Sequence, residues 1–140
     1  MVKMDAEALH AFLKSDFPQV SEQFRVDHVA PNQVRVRMQV GDDHLRPGGT
    51  ISGPTMFALA DLGMYMVVLA MIGPVGLAVT TSCSIDFLRK PEAGRDLIGD
   101  ARLLKLGRQL AVGDVLIRSD GSDAVVARVS LTYSIPPAKG

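Results

Sequence analysis

The sequence has one cysteine, no tryptophan and no excess of charge of either sign. Its 140 residues include 15 basic and 15 acidic side chains, so the formal net charge at pH 7 is zero. Proteins that bind nucleic acid usually carry a basic excess, and this class is therefore disfavoured. The single cysteine, Cys83, excludes a disulfide framework and a site of clustered thiolate ligands. Because such cysteine usage is typical of reducing compartments, we expect a cytoplasmic protein.

Signal-peptide and metal-site patterns are also missing. The N-terminal stretch MVKMDAEALHAFLKSDFP has acids and a helical pattern, and it lacks the apolar core of a signal peptide. No spacing of His, Cys, Asp or Glu is typical of a metal site, and no glycine-rich phosphate loop precedes a helix. We therefore expect no metal and no cofactor. A chain of this length is expected to form one domain over residues 1–140, with residues 1–20 as an N-terminal helical segment.

The longest apolar run extends from Pro54 to Ile72 and contains one charged residue, Asp61. As a helix it would be roughly 28 Å long, close to the thickness of a bilayer core, so a membrane span is one interpretation. The position of Asp61 near the middle and the lack of flanking basic clusters favour another. We predict a helix that is buried on nearly all sides within the protein's own fold.

Six other segments alternate apolar and polar residues with the period of a β-strand. The clearest is NQVRVRMQV, in which Val34, Val36, Met38 and Val40 face one side. The element order is a short helix, two strands, the apolar helix and four strands. Long alternating strands joined by short turns indicate an antiparallel sheet with one covered face, and only the apolar helix can cover it. We predict an α+β fold in which a six-stranded antiparallel sheet wraps around one long central helix.

Alternation in the third strand, AVTTSCSIDFL, groups Val79, Thr81, Cys83, Ile85 and Phe87 on one face. Cys83 is then predicted to be buried in the core. The same parity places the neighbouring threonine, residue 80, on the opposite face.

Asp61 and the start of the apolar helix together suggest chemistry. Backbone N–H groups at a helix start are unpaired and carry partial positive charge. Gly53 has no side chain and Pro54 begins the helix, so a ligand oxygen could approach the Gly53 amide as an oxyanion does. Asp61 could act as a general base or as a nucleophile. The alternative is a structural carboxylate bonded to the backbone or to an arginine.

Three stretches carry motifs of one known family. R-P-G-G-T-I-S-G-P-T-M-F-A-L-A-D is similar to N-x-x-G-x-x-H-G-G, four residues, then L-x-D/E. TTSCSIDFLRKPEAG is similar to T-x-x-x-x-I-x-F-x-R-P-x-x-G with one extra residue, and KLGRQLAVGD to K-x-G-R with a later acid. With the element order, these motifs resemble the hotdog fold and, within it, the PaaI-like (phenylacetate-degradation) acyl-CoA thioesterases. The likeness covers most of residues 22–135.

The resemblance implies roles for particular residues. Asp61 stands where the family has its catalytic carboxylate, and Gly53 where a backbone amide holds the oxyanion. Gly49 matches a further glycine of the motif. Three residues depart from the family: Arg46, Ser52 and Pro54 replace its Asn, its His and its second Gly. The Asn and His help to position water and thioester in the family, and we expect these replacements to contact the substrate.

The remaining candidates lie on or after strands. The family places a hydroxyl opposite the catalytic acid; motif spacing favours Thr80 and strand parity favours Thr81, so both are kept. Arg89, Lys90 and Arg108 lie near strand ends, where they could meet coenzyme A phosphates. Solvated surface charges are the alternative for these three.

One distance predicts an oligomer. Gly53 and Asp61 are eight residues apart, so along one helix they are separated by roughly 12 Å and cannot both touch one carbonyl. Two antiparallel helices from two subunits could bring them together, which the family resemblance also implies. We expect a homodimer, and the family resemblance suggests that dimers can pair into a homotetramer.

The expected function is hydrolysis of an acyl- or aryl-CoA thioester to the free acid and coenzyme A. A non-catalytic or weakly catalytic acyl-CoA-binding protein is the alternative, favoured by Arg46 and Ser52. A hotdog dehydratase or hydratase ranks below both, because no His occurs after His44.

Overall fold

The computed structural model describes residues 1–41 and 51–137. Within these ranges the elements are α1 (Ala6–Asp16), α2 (Pro18–Ser21), β1 (Phe24–Ala30), β2 (Gln33–Met38), α3 (Gly53–Ile72), β3 (Val79–Phe87), β4 (Leu97–Leu106), β5 (Leu110–Ser119) and β6 (Val125–Ser134). The predicted order of one N-terminal helical segment, two strands, one long helix and four strands is confirmed. The two predicted residues Arg46 and Gly49 lie outside the described residues.

The six strands form one antiparallel sheet in the order β1-β2-β4-β5-β6-β3. β1 and β2 form a hairpin whose turn contains Asn32 at φ 61°, a left-handed conformation that asparagine tolerates better than most residues. The chain passes from β2 to β4 by way of α3 and β3. β3 does not join the sheet beside β2; it pairs with β6 and lies at the far edge. Among the described residues, the other side of β3 has no strand partner.

α3 packs against the inner face of the sheet, chiefly over β2, β4 and β5. Apolar side chains of both elements form the core, among them Leu59, Met64, Val36 and Val115. The close approach needs glycine at residue 113, because a Cβ there would lie 2.5 Å from the Arg102 carbonyl and 2.8 Å from the Met64 sulfur. The predicted sheet around one apolar helix is confirmed.

α3 would pass as a membrane span by length and composition, with a mean hydropathy of 1.9. In this fold, 61% of its most apolar stretch is buried against the rest of the chain. The predicted burial on nearly all sides is confirmed for residues 62–70, whereas Pro54, Phe57 and Ala58 in the first half of α3 are exposed in this chain.

The N-terminal segment covers part of the side of α3 that faces away from the sheet. Asp5 caps α1 by accepting a hydrogen bond from the Ala8 amide at 2.9 Å, and Leu9 and Leu13 face the core. The amides of Lys3 and Met4 donate to the Ala70 carbonyl of α3 at 2.7 and 3.2 Å. α2 and the residue before it, Phe17, are thereby held beside the first half of α3.

The predicted face of β3 is wrong in part. Thr80 pairs with Tyr133, and Ser82 pairs with the preceding β6 residue, Thr132, so Thr81 is the extra residue of a β-bulge. A bulge adds one residue and reverses the parity on one side of it. Thr80 therefore shares the inner face with Ile85, whereas Val79 and Thr81 do not.

The predicted burial of Cys83 is also wrong, because Cys83 is exposed. Its partner in β6, Leu131, is a core residue, so Cys83 does face inward. β3 is the edge strand, and α3 lies over the centre of the sheet. The inner face of β3 is consequently left open.

Candidate active site

The first turn of α3 presents one free backbone donor. Ser52 is the N-cap: its hydroxyl accepts from the Thr55 amide at 3.3 Å, and its carbonyl accepts from the Met56 amide at 3.2 Å. Pro54 has no N–H. Among the described residues, the amide of Gly53 has no acceptor, and it carries the positive end of the helix dipole.

The Ser52 side chain makes two contacts within the first turn of α3. Besides capping the helix, its hydroxyl lies 2.8 Å from the Thr55 hydroxyl. Its side chain therefore serves the helix start, whereas the family's His at this position helps to place water and thioester.

Asp61 lies in the third turn of α3 and is held by two hydroxyl groups. The Tyr133 hydroxyl lies 2.9 Å from the Asp61 carbonyl oxygen and 2.8 Å from Oδ1, and its single proton is shared between these two acceptors. The Thr80 hydroxyl donates to the same Oδ1. Of the two threonines left open by the sequence, Thr80 is thus the one that contacts Asp61. Thr81 instead donates to the Thr132 carbonyl at 3.2 Å and is exposed.

Asp61 differs from the carboxylates on the strands in having no cation beside it. Asp86, Asp100 and Asp114 each form an ion pair with an arginine, at 2.9, 2.7 and 3.0 Å. Within residues 1–41 and 51–137, no basic side chain pairs with Asp61 and no backbone amide donates to its carboxylate. The structural alternative of an arginine-bound or amide-bound carboxylate therefore has no support in these residues.

A cavity of about 520 Å³ opens beside Asp61, between α3, the N-terminal segment and the β1–β2 hairpin. Asp61 is the single charged residue among those lining it in the described part of the chain. The others are Phe17, Val20, Gln23, Phe24, Met38, Pro54, Thr55, Phe57, Ala58, Leu62 and Tyr65. A mostly apolar cavity of this kind can bind an uncharged ligand group and place the reactive end of that group next to the carboxylate.

The pKa values of two groups near Asp61, the Tyr133 hydroxyl and the Cys83 thiol, are raised. Burial, and after it the charge of Asp61, raise the pKa of the Tyr133 hydroxyl far above its usual value. Partial desolvation and the charge of Asp61 also raise the pKa of the Cys83 thiol. Tyr133 therefore remains a proton donor to the carboxylate over the physiological range, and Cys83 is not an activated nucleophile.

The predicted cations are exposed and lie at two different ends of the fold. Arg89 and Lys90 directly follow β3. The last residue of β3, Phe87, packs against the start of α3: its ring would lie 3.0 Å from a Cβ added to Gly53. The two cations are therefore near the start of α3. Arg108 lies in the turn between β4 and β5, where it lines a groove with the end of α3. Within the described residues, none of the three side chains forms an ion pair, so each is available to an anionic ligand.

Tyr133 was not among the predicted site residues, and of the residues lining the cavity only Asp61 and Pro54 were predicted. A tyrosine at an inward position of a strand needs a partner for its hydroxyl, and this requirement was the available sequence signal for Tyr133. No local pattern connects Phe17 or Val20 with Asp61, because they come from different elements. No group of three or more His, Cys, Asp or Glu side chains suited to a metal occurs in the described parts of the chain.

Comparison with known proteins adds to this geometry. Residues 48–133 match the model of the Thioesterase superfamily. A thioesterase candidate from Silicibacter sp. TM1040 has a similar structure, with 55% sequence identity, 98% of this chain and 95% of that chain covered, and a TM-score of 0.91. A variant of the phenylacetic acid degradation protein PaaI from Thermus thermophilus is 30% identical over 85% of this chain and 99% of that chain, with a TM-score of 0.72.

A third similar structure, of a protein from Streptococcus mutans UA159, is bound to acetyl-CoA. It is 26% identical, covers 84% of this chain and 91% of that chain, and has a TM-score of 0.70. The likeness to hotdog-fold, PaaI-like thioesterases that the motifs indicated is confirmed by these comparisons.

Proposed function

Because this chain belongs to the thioesterase superfamily and is a thioester hydrolase, we propose that it cleaves acyl-CoA thioesters at Asp61. The acyl or aryl group would occupy the cavity beside Asp61. The observation that carries the proposal is the Asp61 carboxylate, which has no ion-pair partner among the described residues and is the one charged group in the described part of the cavity wall. The acetyl-CoA bound to the Streptococcus mutans protein supports coenzyme A as the thiol part of the substrate.

Asp61 would act in one of two ways. As a general base it takes a proton from water, whose oxygen adds to the thioester carbonyl. As a nucleophile its oxygen adds directly, forming a mixed anhydride that water then hydrolyses. In both routes the C–S bond breaks, coenzyme A leaves as a thiolate that is then protonated, and the products are the free acid and coenzyme A. The proposal uses water as second substrate and no metal or organic cofactor.

The oxyanion formed on the carbonyl needs a donor, and the Gly53 amide is the one at the start of α3 that has no acceptor within residues 1–41 and 51–137. Along one helix it lies roughly 12 Å from Asp61, so we propose that the two come from different subunits of a homodimer. Support comes from exposed apolar side chains around the helix start and the end of β3, namely Phe57 (39% exposed), Phe87 (53%) and Leu88 (55%). A second copy seated here would cover them and the open edge of β3.

The other proposed contacts follow from this placement. Arg89 and Lys90, beside the start of α3, together with Arg46 in the segment outside the described residues, would meet the phosphates of coenzyme A. Arg108 lies by the end of α3, so it would reach a phosphate only of a ligand bound mainly by another subunit. Pro54, which lines the cavity, and Gly49, which lies outside the described residues, would contact the substrate. Thr80 would hold Asp61 instead of touching the acyl group. Location in the cytoplasm remains a prediction from cysteine usage.

A thiol-release assay over a panel of acyl-CoAs tests the proposal, with Asp61→Asn as the matched variant. We expect turnover in the wild type and a loss of kcat of at least a hundredfold in Asp61→Asn. Equal rates for the two proteins would refute a role for Asp61.

Butyryl-CoA and succinyl-CoA provide a matched pair of substrates, because their acyl groups have the same four-carbon backbone. Succinyl-CoA would bring a second carboxylate into an apolar cavity next to Asp61, so we expect a much lower kcat/KM for it. Preference for succinyl-CoA would contradict the assignment of the cavity to the acyl group.

The engagement of Ser52 in capping favours a second candidate, an acyl-CoA-binding protein with weak catalysis. Its mark would be tight binding of acyl-CoA, measured by calorimetry, without turnover in any member of the panel.

A further inference from the structure

The Tyr133 hydroxyl contacts the main chain and the side chain of the same residue. It lies 2.9 Å from the Asp61 carbonyl oxygen and 2.8 Å from Oδ1. A donor that bridges these two atoms is compatible with few χ1 and χ2 combinations of an aspartate. The contact therefore restricts the direction in which the carboxylate points.

The ring that carries this hydroxyl is itself fixed. Tyr133 is 3% exposed, and its ring stacks on Tyr65, one helical turn beyond Asp61, with centroids 6.1 Å apart and planes 20° apart. Phe12 and Phe17 pack edge-on against the other aromatic partner, Tyr65, at 6.0 and 5.9 Å. The position of the hydroxyl is thus set by packing and does not depend on Asp61.

The two oxygens of Asp61 are consequently unequal. Oδ1 accepts from Tyr133 and from Thr80, which face each other across β6 and β3. Oδ2 has no hydrogen-bond partner among the described residues. One oxygen is held and the other is available to water or substrate.

We infer that Tyr133 is a positioning residue for the proposed hydrolysis: with Thr80 it holds Oδ1 of Asp61, so that Oδ2 is the oxygen that accepts the proton or attacks the thioester. The inference rests on the proposed function and assigns a role to a residue outside the substrate cavity. Tyr133 does not line that cavity, so it acts on the reaction only through Asp61. Its raised pKa keeps the hydroxyl protonated as a donor.

The variant Tyr133→Phe tests this role, because it removes the hydroxyl and keeps the stacked ring. We expect kcat to fall about tenfold to a hundredfold, the loss that a misplacement near 1 Å causes, with KM changed less than about twofold. A purely structural role predicts a lower melting temperature with unchanged kcat. Wild-type kcat in Tyr133→Phe, or a loss confined to KM, overturns the inference.

Thr80→Val provides an independent arm, because it removes the second donor to Oδ1 from the edge strand without opening the core. We expect kcat to fall at constant KM here also. In the double variant the loss should be smaller than the product of the two single losses, since both hydroxyls act through one carboxylate. Multiplicative losses would contradict a shared action on Asp61.

Thr132→Val is the matched control. It removes a hydroxyl one residue away on β6, on the opposite face of the sheet, and should leave kcat and KM unchanged. The variant Asp61→Asn distinguishes a failure of the proposed function from a failure of the role of Tyr133. If Asp61→Asn retains wild-type turnover, the proposed function fails; if Asp61→Asn is inactive while Tyr133→Phe is fully active, only the role of Tyr133 fails.

Discussion

At residue 53 the absence of a side chain leaves space that the Phe87 ring partly fills. A Cβ added to Gly53 would lie 3.0 Å from the ring carbon Cζ of Phe87, closer than ordinary van der Waals contact. Phe87 is 53% exposed, so its ring can move by the few tenths of an ångström that an alanine would require. The fold should therefore accept an alanine at position 53, whereas the added methyl group would hinder access to the backbone amide of that residue.

We predict that Gly53→Ala changes the free energy of unfolding by no more than about 1 kcal/mol, because alanine favours a helix by a similar amount. Activity should fall at least about tenfold, since the methyl group and the displaced ring obstruct approach to the amide. Chemical denaturation and thiol-release kinetics measure the two effects. Gly76→Ala is the control, because a Cβ there meets its nearest neighbour at an ordinary 3.6 Å. Full activity in Gly53→Ala would argue against the amide as oxyanion donor.

The raised pKa of Tyr133 makes stability depend on pH at the alkaline end. The unfolded chain releases a tyrosine proton near pH 10.0, whereas the folded protein retains it at Tyr133. The stabilising contribution is therefore complete below pH 10 and is lost as the pH rises above it.

We predict that the urea midpoint of the wild type falls more steeply between pH 9 and pH 11 than that of Tyr133→Phe. One such group contributes a slope of up to about 1.4 kcal/mol per pH unit. Parallel curves for the two proteins would show that Tyr133 ionises alike in the folded and unfolded states.

At the level of elements, the N-terminal segment forms a wall of the substrate cavity. Phe17 and Val20 line the cavity opposite α3, while Phe12 packs against the same Tyr65 without lining it. Two phenylalanines of one segment thus share a packing partner and differ in access to the cavity. Substitutions at these two residues can therefore distinguish an effect on acyl-chain selection from an effect on packing alone.

We predict that Phe17→Ala shifts preference toward longer acyl chains, because removing the ring extends the cavity. Each additional buried methylene is worth about 0.8 kcal/mol, or roughly fourfold in kcat/KM. The ratio of decanoyl-CoA to hexanoyl-CoA activity should rise on the order of tenfold or more. Phe12→Ala, the control, should lose stability and keep the wild-type ratio. An unchanged ratio in Phe17→Ala would place the acyl group elsewhere.

At the level of the whole molecule, one chain presents Gly53 and Asp61 at separate points on α3. Among the described residues, the Gly53 amide has no acceptor, and Oδ2 of Asp61 has no hydrogen-bond donor. A symmetric pair of chains has two equivalent contacts, so it would form two sites, each with the amide of one subunit and the carboxylate of the other.

We predict that mixed dimers of Asp61→Asn and Gly53→Ala chains regain activity that neither variant has alone. Random mixing makes half of the dimers heterodimers with one intact site of two, so recovery should approach roughly a quarter of the wild-type activity. Co-refolding of the two variants followed by the thiol-release assay measures it. No recovery, with heterodimers detected by native mass spectrometry, would contradict the shared site. The same spectra distinguish a dimer from the predicted tetramer.

Much of this protein follows from local sequence pattern. Period-two alternation marks the six strands, and an apolar run with one carboxylate marks α3 and Asp61. These features depend on neighbouring residues along one element, so the sequence determines them without knowledge of what packs where. The start of α3 at Gly53 and Pro54 is local in the same way.

Other features were decided by the tertiary structure. The bulge at Thr81 reversed the parity of β3 and brought Thr80 to Asp61, and the edge position of β3 exposed Cys83. The contact of Tyr133 with Asp61 and the cavity wall at Phe17 join segments far apart in the chain. Strand register and packing between distant elements arise from the sum of many contacts, and one extra residue in a strand is enough to change which side chain faces the site.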